Sequence, residues 1–284
     1  MTILLRGAEV ASALGESILQ RIGRLKAAGI FPRLAVVRTG ERPDDLSYER
    51  GVKKKAETLG ISVVCETLSE AAGQLQLEAV LRRLGSDPSV HGILLFRPLP
   101  EGYDEDAARA LLPPEKDVDG ITDLSLTGVF DGSGRGFAPC TAQACMEILR
   151  HFSIPLSGRR AVVIGRSLVV GKPLAMLLLG QNATVTLCHS KSSDLPALCQ
   201  EADILIAATG KRALVDERFL SPQQTVLDVG IHVNEEGKLC GDVIPGANGL
   251  VSALTPVPGG VGAVTTTVLL SHVVQAAEAL SEKV

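Results

Sequence analysis

The stretch that decides the fold is "RAVVIGRSLVVGKPLAMLLLG", residues 160–180. A short apolar run ends at Gly165, a turn carries Ser167, and Gly171 opens a segment with helical spacing. A buried strand, a glycine turn and a helix in this order are typical of the first βαβ unit of a dinucleotide-binding domain. An ordinary tight βα turn fits the same letters, so the turn alone leaves the choice open.

Apolar runs bounded by glycine or proline alternate with helical segments on both sides of this stretch. Strands are predicted at 33–40, 62–68, 90–96, 183–190, 202–210 and 225–231, and helices at about 11–29, 45–60, 71–85, 141–153 and 265–282. This alternation predicts an α/β protein with two domains built on parallel sheets. We place one domain at 1–140 with 265–284, and a doubly wound Rossmann domain at 141–264. Residues 98–123 are predicted to be rich in loops.

Composition and charge exclude several classes of protein. The net charge of the 284 residues is −4, and acidic and basic residues are mixed along the chain, which argues against nucleic acid as a partner. No uninterrupted apolar run reaches the roughly 18–20 residues of a membrane span, and the N-terminal apolar patch is too short for a signal peptide. We therefore expect a soluble, cytoplasmic protein. The six cysteines contain no C-x-x-C pair, which predicts reduced thiols and no metal site.

The end of the strand that follows the glycine turn indicates the cofactor. An NAD site usually has an acidic residue there, whereas this chain has His189, Ser190 and Lys191. Together with Arg166 these side chains can donate to a 2′-phosphate, which favours NADP over NAD. The alternative is that Lys191 and Arg166 are solvated surface charges.

Two loops and one aromatic residue are candidates for contacts with a second ligand. "TPVPGGVG", residues 255–262, concentrates prolines and glycines before a helix and suggests a ligand loop, although an interdomain turn is the simpler interpretation. Asp119 in "KDVDG" fits an Asp-Gly turn, and a ligand with an amidine-like edge would give it a further role. Aromatic residues are only 3% of the chain and Trp is absent, so stacking on a flat ligand depends largely on Tyr48.

In the order of its motifs the chain resembles the bifunctional methylenetetrahydrofolate dehydrogenase/methenyltetrahydrofolate cyclohydrolase family. The similarity covers essentially the whole chain and includes "PRLAVVRTGERP", "GILLFRPLP", "PEKDVDG", "VVIGRS" and "TPVPGGVG". The resemblance implies a folate cleft between the two domains, NADP as cofactor, and a homodimer that forms through the Rossmann domain. It also implies direct hydride transfer from 5,10-methylenetetrahydrofolate, with possible hydrolysis of the methenyl product to 10-formyltetrahydrofolate.

The resemblance further assigns roles to individual residues. Tyr48 would stack on the pterin and Asp119 would bind its amino edge, and both are candidate catalytic residues. The substrate-binding candidates are Tyr48, Phe96, Pro98, Leu99, Asp119, Pro258, Gly259 and Gly260. The cofactor-binding candidates are Gly165, Arg166, Ser167, Gly171, His189, Ser190 and Ile231.

The sequence departs from the family pattern where the cyclohydrolase chemistry would lie. Members of the family carry a lysine four residues after the tyrosine and a glutamine before "PLP", whereas this chain has Val52 and Phe96. The next residue, a leucine in the family, is Arg97. Hydrolysis of the methenyl group needs a group that handles protons, so this half of the activity is in doubt.

Three interpretations of the lysine run at 53–55 stay open at this point. In the first, all three lysines are solvated and the cleft is drier and serves only the dehydrogenase. In the second, Lys55, which shares the helix face of Tyr48, takes over the proton chemistry, alone or with Arg97. In the third, an altered helix start turns Lys53 inward. Lys54 matches a second basic position of the family and is a weaker catalytic candidate.

Two functions of other classes also remain open. One is an NADP-dependent reductase of another small substrate on a similar plan. The other is a non-catalytic module that binds folate or a nucleotide.

Overall fold

The structure is a computed structural model that describes residues 2–281. Its strands are β1 (Ile3–Leu4), β2 (Arg33–Thr39), β3 (Ser62–Leu68), β4 (Gly92–Leu95), β5 (Arg160–Ile164), β6 (Thr184–Cys188), β7 (Ile204–Ala207), β8 (Thr225–Asp228), β9 (His232–Val233), β10 (Leu239–Cys240) and β11 (Ala253–Leu254). Its α-helices are α1 (Gly7–Ala27), α2 (Pro43–Leu59), α3 (Gln74–Ser86), α4 (Glu105–Ala110), α5 (Asp123–Asp131), α6 (Cys140–His151), α7 (Gly171–Gly180), α8 (Leu195–Gln200) and α9 (Gly262–Ser281).

The chain forms two compact units. The nucleotide-binding unit comprises Thr141–Thr265 together with the N-terminal segment up to Ser12. The catalytic unit comprises Ala13–Cys140 together with the chain from Thr266 onward. From Thr266 onward, α9 therefore lies in the same unit as Ala13–Cys140.

The nucleotide-binding unit is built on a parallel sheet with the strand order β1-β11-β8-β7-β5-β6. The central strands β7 and β8 are buried along their whole length, as expected of a sheet with both faces covered. Since parallel strands all end at one edge, the turns after β5, β6, β7 and β8 lie along the carboxyl edge of this sheet. The antiparallel pair β9 and β10 follows β8.

The predicted domain boundary is wrong for the first twelve residues. They were assigned to the folate domain, but β1 pairs in parallel with β11 in the nucleotide-binding unit. Backbone hydrogen bonds from Ile3 N to Ser252 O (2.8 Å) and from Leu5 N to Leu254 O (2.9 Å) hold it there. A two-residue strand satisfies these backbone groups without leaving a periodic pattern in the sequence.

The catalytic unit carries a three-stranded parallel sheet with the order β3-β2-β4. Strand β2 is central and almost wholly buried, and β3 has the bounds predicted from the sequence. Helix α2 begins at Pro43, two residues before the predicted start, and ends at Leu59, where the left-handed backbone of Gly60 (φ 76°) caps it. The segment predicted as loop-rich contains the short helix α4, because the side chain of Asp104 caps it by accepting from Ala107 N at 2.9 Å.

Helix α9 departs from the expectation about apolar segments. Its best 18-residue window has a mean hydropathy of 1.2, so by length and composition it passes as a membrane span. Within the structure 56% of that window is buried, and Leu269, Val273 and Ala277 are fully enclosed. This burial is that of a core helix.

Candidate functional site

Tyr48 and Phe96 form an aromatic pair in the catalytic unit. Tyr48 lies on α2 and Phe96 directly follows β4, and their ring centroids are 5.6 Å apart with planes tilted by 32°. Phe96 is buried, whereas Tyr48 remains 37% exposed. Burial of the hydroxyl raises the pKa of Tyr48, and the nearby Asp119 carboxylate adds to the rise. The tyrosine is therefore a neutral ring that Phe96 supports and that keeps accessible surface for a flat ligand.

The two positions that depart from the family pattern are both apolar and enclosed. Val52 lies one helical turn after Tyr48 and is 0% exposed. Phe96, in the place of the glutamine, packs on the tyrosine ring. Neither side chain can donate, accept or move a proton.

Lys53 is engaged by a buried carboxylate and does not turn toward Tyr48. Glu49 accepts from Lys53 Nζ at 2.5 Å and from Arg38 Nε at 2.9 Å. Burial alone would raise the pKa of Glu49, but the hydrogen bonds from these two cations lower it. A buried carboxylate with two cations strongly favours this geometry, so the interpretation that turned Lys53 inward is wrong.

The other two lysines have no fixed partner. Lys54 is exposed and Lys55 is half-buried. In the part of the chain that the structure describes, neither amine makes a hydrogen bond or an ion pair. Nothing therefore holds the Lys55 amine in a defined position beside Tyr48.

Asp119 is a half-buried carboxyl group that lies near Arg97, Asp117 and Cys140. Burial raises its pKa to about 6, with Asp117 contributing in the same direction, while Arg97 and a hydrogen bond from the Cys140 thiol act against the rise. The neighbouring Asp117 has a structural role, because it accepts from Ile121 N, Thr122 N and Ser125 Oγ. Asp117 thus fixes the turn that carries Asp119.

The segment after β4 is held by an ion pair. Arg97 Nη1 lies 3.2 Å from Glu105 Oε1, and the other oxygen of Glu105 accepts from Leu99 N at 3.2 Å. Pro98 follows a cis peptide bond, and Leu99 packs against the core of the unit. Glu105 was not singled out from the sequence, because its partners precede it by several residues in a loop.

The glycine turn of the nucleotide-binding unit is sterically closed to other residues. A Cβ at Gly165, where φ is +124°, would lie 2.1 Å from the carbonyl oxygen of Ala208. A Cβ at Gly171 would lie 1.8 Å from the oxygen of Gly165. Ser167 Oγ accepts from Val170 N at 3.1 Å and fixes the approach to α7. This close backbone approach at the amino end of a helix is what a pyrophosphate site requires.

A cavity of about 310 Å³ brings together two groups of candidates. Pro258, Gly259 and Gly260 line it with Ile231 and Asp228. Gly7 N donates to Gly259 O at 2.8 Å, so the start of α1 supports the loop. The proline-glycine loop assigned to substrate and the Ile231 assigned to cofactor thus share one cavity.

A second cavity, of about 260 Å³, opens beside the glycine turn. It is lined by the predicted Arg166, His189 and Ser190, and also by Thr209 and Lys211. His189 shapes its own loop, since its Nδ1 accepts from Lys191 N at 3.1 Å. Thr209 and Lys211 were missed from the sequence, although their position after β7 at the carboxyl edge of the sheet could have indicated them.

Two buried carboxylates that the sequence did not reveal connect the loops at this edge. Asp228 accepts from the backbone of Gly230, Asp242 and Val243, and burial raises its pKa to about 6 despite these bonds. Asp242 in turn accepts from Thr209 N and Gly210 N. Space around them is minimal: a Cβ at Gly241 would lie 1.9 Å from Asp228 Oδ2, and one at Gly230 would lie 2.1 Å from Asp242 Oδ1.

Comparison with known families accounts for both units. Residues 5–119 match the catalytic domain of tetrahydrofolate dehydrogenase/cyclohydrolase, and residues 139–281 match the NAD(P)-binding domain of the same family. The chain belongs to this family. Its two-domain α/β fold is the fold expected from the sequence.

Individual members of the family are similar over nearly their full length. The bifunctional protein FolD of Carboxydothermus hydrogenoformans is 49% identical over 98% of each chain. The crystal structure of the Campylobacter jejuni FolD dehydrogenase/cyclohydrolase superposes with a TM-score of 0.95 at 36% identity, covering 98% of this chain and 99% of the other. The FolD of Trypanosoma brucei, solved with NADP and an inhibitor, superposes with a TM-score of 0.91 at 30% identity, covering 100% of this chain and 99% of the other.

The residues of the nucleotide-binding unit fit the cofactor of this family. The glycine turn has no space for a side chain at Gly165 or Gly171, so its backbone can approach a phosphate closely. The adjoining cavity is lined by Arg166 and Lys211 among others. Among the described lining residues there is no carboxylate that would repel a 2′-phosphate. The cofactor is therefore NADP.

Proposed function

We propose that this chain is an NADP-dependent 5,10-methylenetetrahydrofolate dehydrogenase whose cyclohydrolase activity is lost or strongly weakened. The observation that carries the proposal is the replacement of both polar family positions by enclosed apolar side chains, Val52 and Phe96, beside an otherwise intact Tyr48 and Asp119. Neither the other-substrate reductase nor the binding module has an observation that favours it.

The catalytic unit binds and orients the folate. The exposed face of Tyr48 stacks on the pterin, and Phe96 prevents the tyrosine ring from tilting away. Asp119, when ionised, accepts from the pterin amino group and the adjacent ring N–H. Orientation of this kind supplies most of what a direct hydride transfer needs, because no general acid or base takes part.

The nucleotide-binding unit holds the cofactor through its backbone and a few side chains. Gly165, Ser167 and Gly171 would receive the pyrophosphate, Arg166, His189 and Ser190 the adenosine phosphate region, and Ile231 the nicotinamide region. The substrate-binding candidates Pro258, Gly259 and Gly260 line the same cavity as Ile231. Bound there, NADP⁺ supplies the hydride acceptor. The role of the chain is to hold the flat ring against an apolar wall that excludes water.

The missing cyclohydrolase follows from what surrounds Tyr48. Water must add to the methenyl carbon and protons must then move, which calls for a positioned acid or base. Val52 and Phe96 provide none, Lys53 is bound to Glu49, and the Lys55 amine has no defined partner. The dehydrogenase-only interpretation of the lysine run is thus better supported than the one that relies on Lys55.

The setting of the enzyme is part of the proposal. All six cysteines are free thiols, which suits a reducing compartment such as the cytoplasm. A homodimer formed through the nucleotide-binding unit rests on the family resemblance. Light scattering of the purified protein tests it, and a monomer at micromolar concentration would contradict it.

The decisive experiment follows two products separately. Purified protein is mixed with 5,10-methylenetetrahydrofolate and NADP⁺, and NADPH and the methenyl product are recorded against an enzyme-free control. We expect NADPH to form while the methenyl species decays at the uncatalysed rate. Absence of NADPH would reject the dehydrogenase. Faster decay would reject the loss of cyclohydrolase, and Lys55→Met would then show whether that amine is responsible.

A further inference from the structure

The loop after β7 presents a lysine to the cofactor cavity. Lys211 lines the cavity of about 260 Å³ together with Arg166, His189 and Ser190. These residues come from three different turns at the carboxyl edge of the sheet, after β5, β6 and β7. The cavity therefore has a cation on two of its sides.

The backbone of this loop is fixed by buried groups. Asp242 is fully buried, and its Oδ2 accepts from Thr209 N at 2.5 Å and from Gly210 N at 3.3 Å. Its Oδ1 lies 2.7 Å from His232 Nε2. Thr209 Oγ1 accepts from Lys211 N at 3.0 Å and donates to Lys211 O at 3.2 Å. The main chain of Lys211 is thus positioned before any ligand binds, and only side-chain freedom is lost on binding.

The charges around the cavity are unbalanced. Within the described chain the Lys211 amine makes no ion pair, whereas the next residue, Arg212, lies 3.8 Å from Glu235. No described carboxylate lines the cavity to compensate Arg166 and Lys211. Both side chains are exposed in the free chain, and a dianionic group bound in this cavity would accept charge-assisted hydrogen bonds from both cations.

We infer that Lys211 binds the 2′-phosphate of NADP together with Arg166 and so contributes to the preference for NADP over NAD. The inference rests on the proposed function only in that the same cofactor is bound. It also separates two exposed lysines: the sequence pointed to Lys191, which is not among the described residues that line the cavity, whereas Lys211 is. The two make opposite predictions when each is replaced.

Half-cofactors test this without any turnover. We would titrate the wild type, Lys211→Met, Lys211→Arg and Lys191→Met with 2′,5′-ADP and with 5′-AMP by calorimetry, since these two ligands differ only in the 2′-phosphate. Lys211→Met should lower the affinity for 2′,5′-ADP by about tenfold, as expected for the loss of one charge-assisted contact. Its affinity for 5′-AMP should stay within about twofold of the wild-type value. Lys211→Arg should recover most of the loss, and Lys191→Met should bind like the wild type.

Each other result overturns the inference in a distinct way. Equal weakening of both ligands would place Lys211 at the shared 5′-phosphate or reveal a folding defect, which the melting temperature of each variant separates. A loss in Lys191→Met rather than in Lys211→Met would assign the contact to Lys191. If the wild type itself bound both ligands equally, the NADP assignment would fail together with the inference.

Discussion

The two ligand surfaces of this chain are held in place by different kinds of contact. In the nucleotide-binding unit the turn depends on backbone approach, since a Cβ at Gly171 would lie 1.8 Å from a carbonyl oxygen. In the catalytic unit the corresponding chemistry depends on side chains, and Val52 on α2 and Phe96 after β4 differ from the family pattern. A side chain can exchange its chemistry within a preserved fold, whereas a backbone cradle tolerates almost no change.

The largest expected effect is at the cradle. Gly171→Ala should weaken NADP⁺ binding by roughly 100-fold or more, because the turn must open to admit the methyl group. Calorimetric titration with NADP⁺ measures this. Gly180→Ala at the other end of α7 is the matched control, since its added Cβ would meet no atom within 4 Å beyond its chain neighbours and the backbone of its own helix. A stable, tightly binding Gly171→Ala protein would show that the cradle is not backbone-limited.

The next effect concerns the side-chain surface. Asp119→Asn should weaken the binding of tetrahydrofolate by about 10- to 100-fold at pH 8, since an amide cannot accept hydrogen bonds from two ligand donors as a carboxylate does. Fluorescence or calorimetric titration gives the affinity. Asp106→Asn, whose side chain is 88% exposed, serves as the control. Equal affinities of the Asp119 variant and the wild type would remove this carboxylate from the folate site.

Restoring the family residues tests the proposal that Val52 and Phe96 remove the cyclohydrolase activity. Val52→Lys combined with Phe96→Gln should increase methenyl hydrolysis by at least about tenfold, toward the range of a positioned acid or base. Val52→Met with Phe96→Gln matches the length but lacks the amine. An equal gain in that control would indicate admission of water rather than proton transfer.

The smallest effect is the cost that Asp119 imposes on the fold. Its pKa of about 6 in the folded chain lies above the ordinary 3.8, so between those pH values the folded protein holds more protons than the unfolded chain. The free energy of unfolding should therefore fall as pH rises through this window. From pH 4 to pH 8 the stability of Asp119→Asn relative to the wild type should grow by about 1–2 kcal/mol. Urea unfolding at both pH values measures it, and a constant difference would contradict it.

The parts of the molecule that the sequence predicted are those with local signals. The bounds of β3, the glycine turn at Gly165 and the role of Gly60 as a helix end follow from alternation and backbone requirements within a few residues. The pairing of β1 with β11 joins segments about 250 positions apart and leaves no pattern in either. A parallel pairing over such a distance becomes visible only once the sheet order is known.

The candidate site follows the same division. Tyr48 and Asp119 could be singled out because aromatic residues are rare and because the motif around Asp119 is local. Lys211 was missed although its position after β7 could have indicated it, whereas Asp242 could not be singled out, because its importance comes from the adjacency of the turns after β7 and β8. The Lys53 alternative failed for a related reason. The helix period predicts the direction of the Cα–Cβ bond, but the position of the Lys53 amine is set by its hydrogen bond to the buried Glu49.

The pair of buried carboxylates at the edge of the sheet has a consequence for evolution. Asp228, Gly230, Gly241 and Asp242 fit one another so closely that a methyl group at either glycine would overlap a carboxylate oxygen. A side chain at either glycine would therefore displace the facing carboxylate and with it the backbone groups that this carboxylate binds. We therefore expect these four positions to be coupled, so that the effect of a substitution at one of them depends on the residues at the other three.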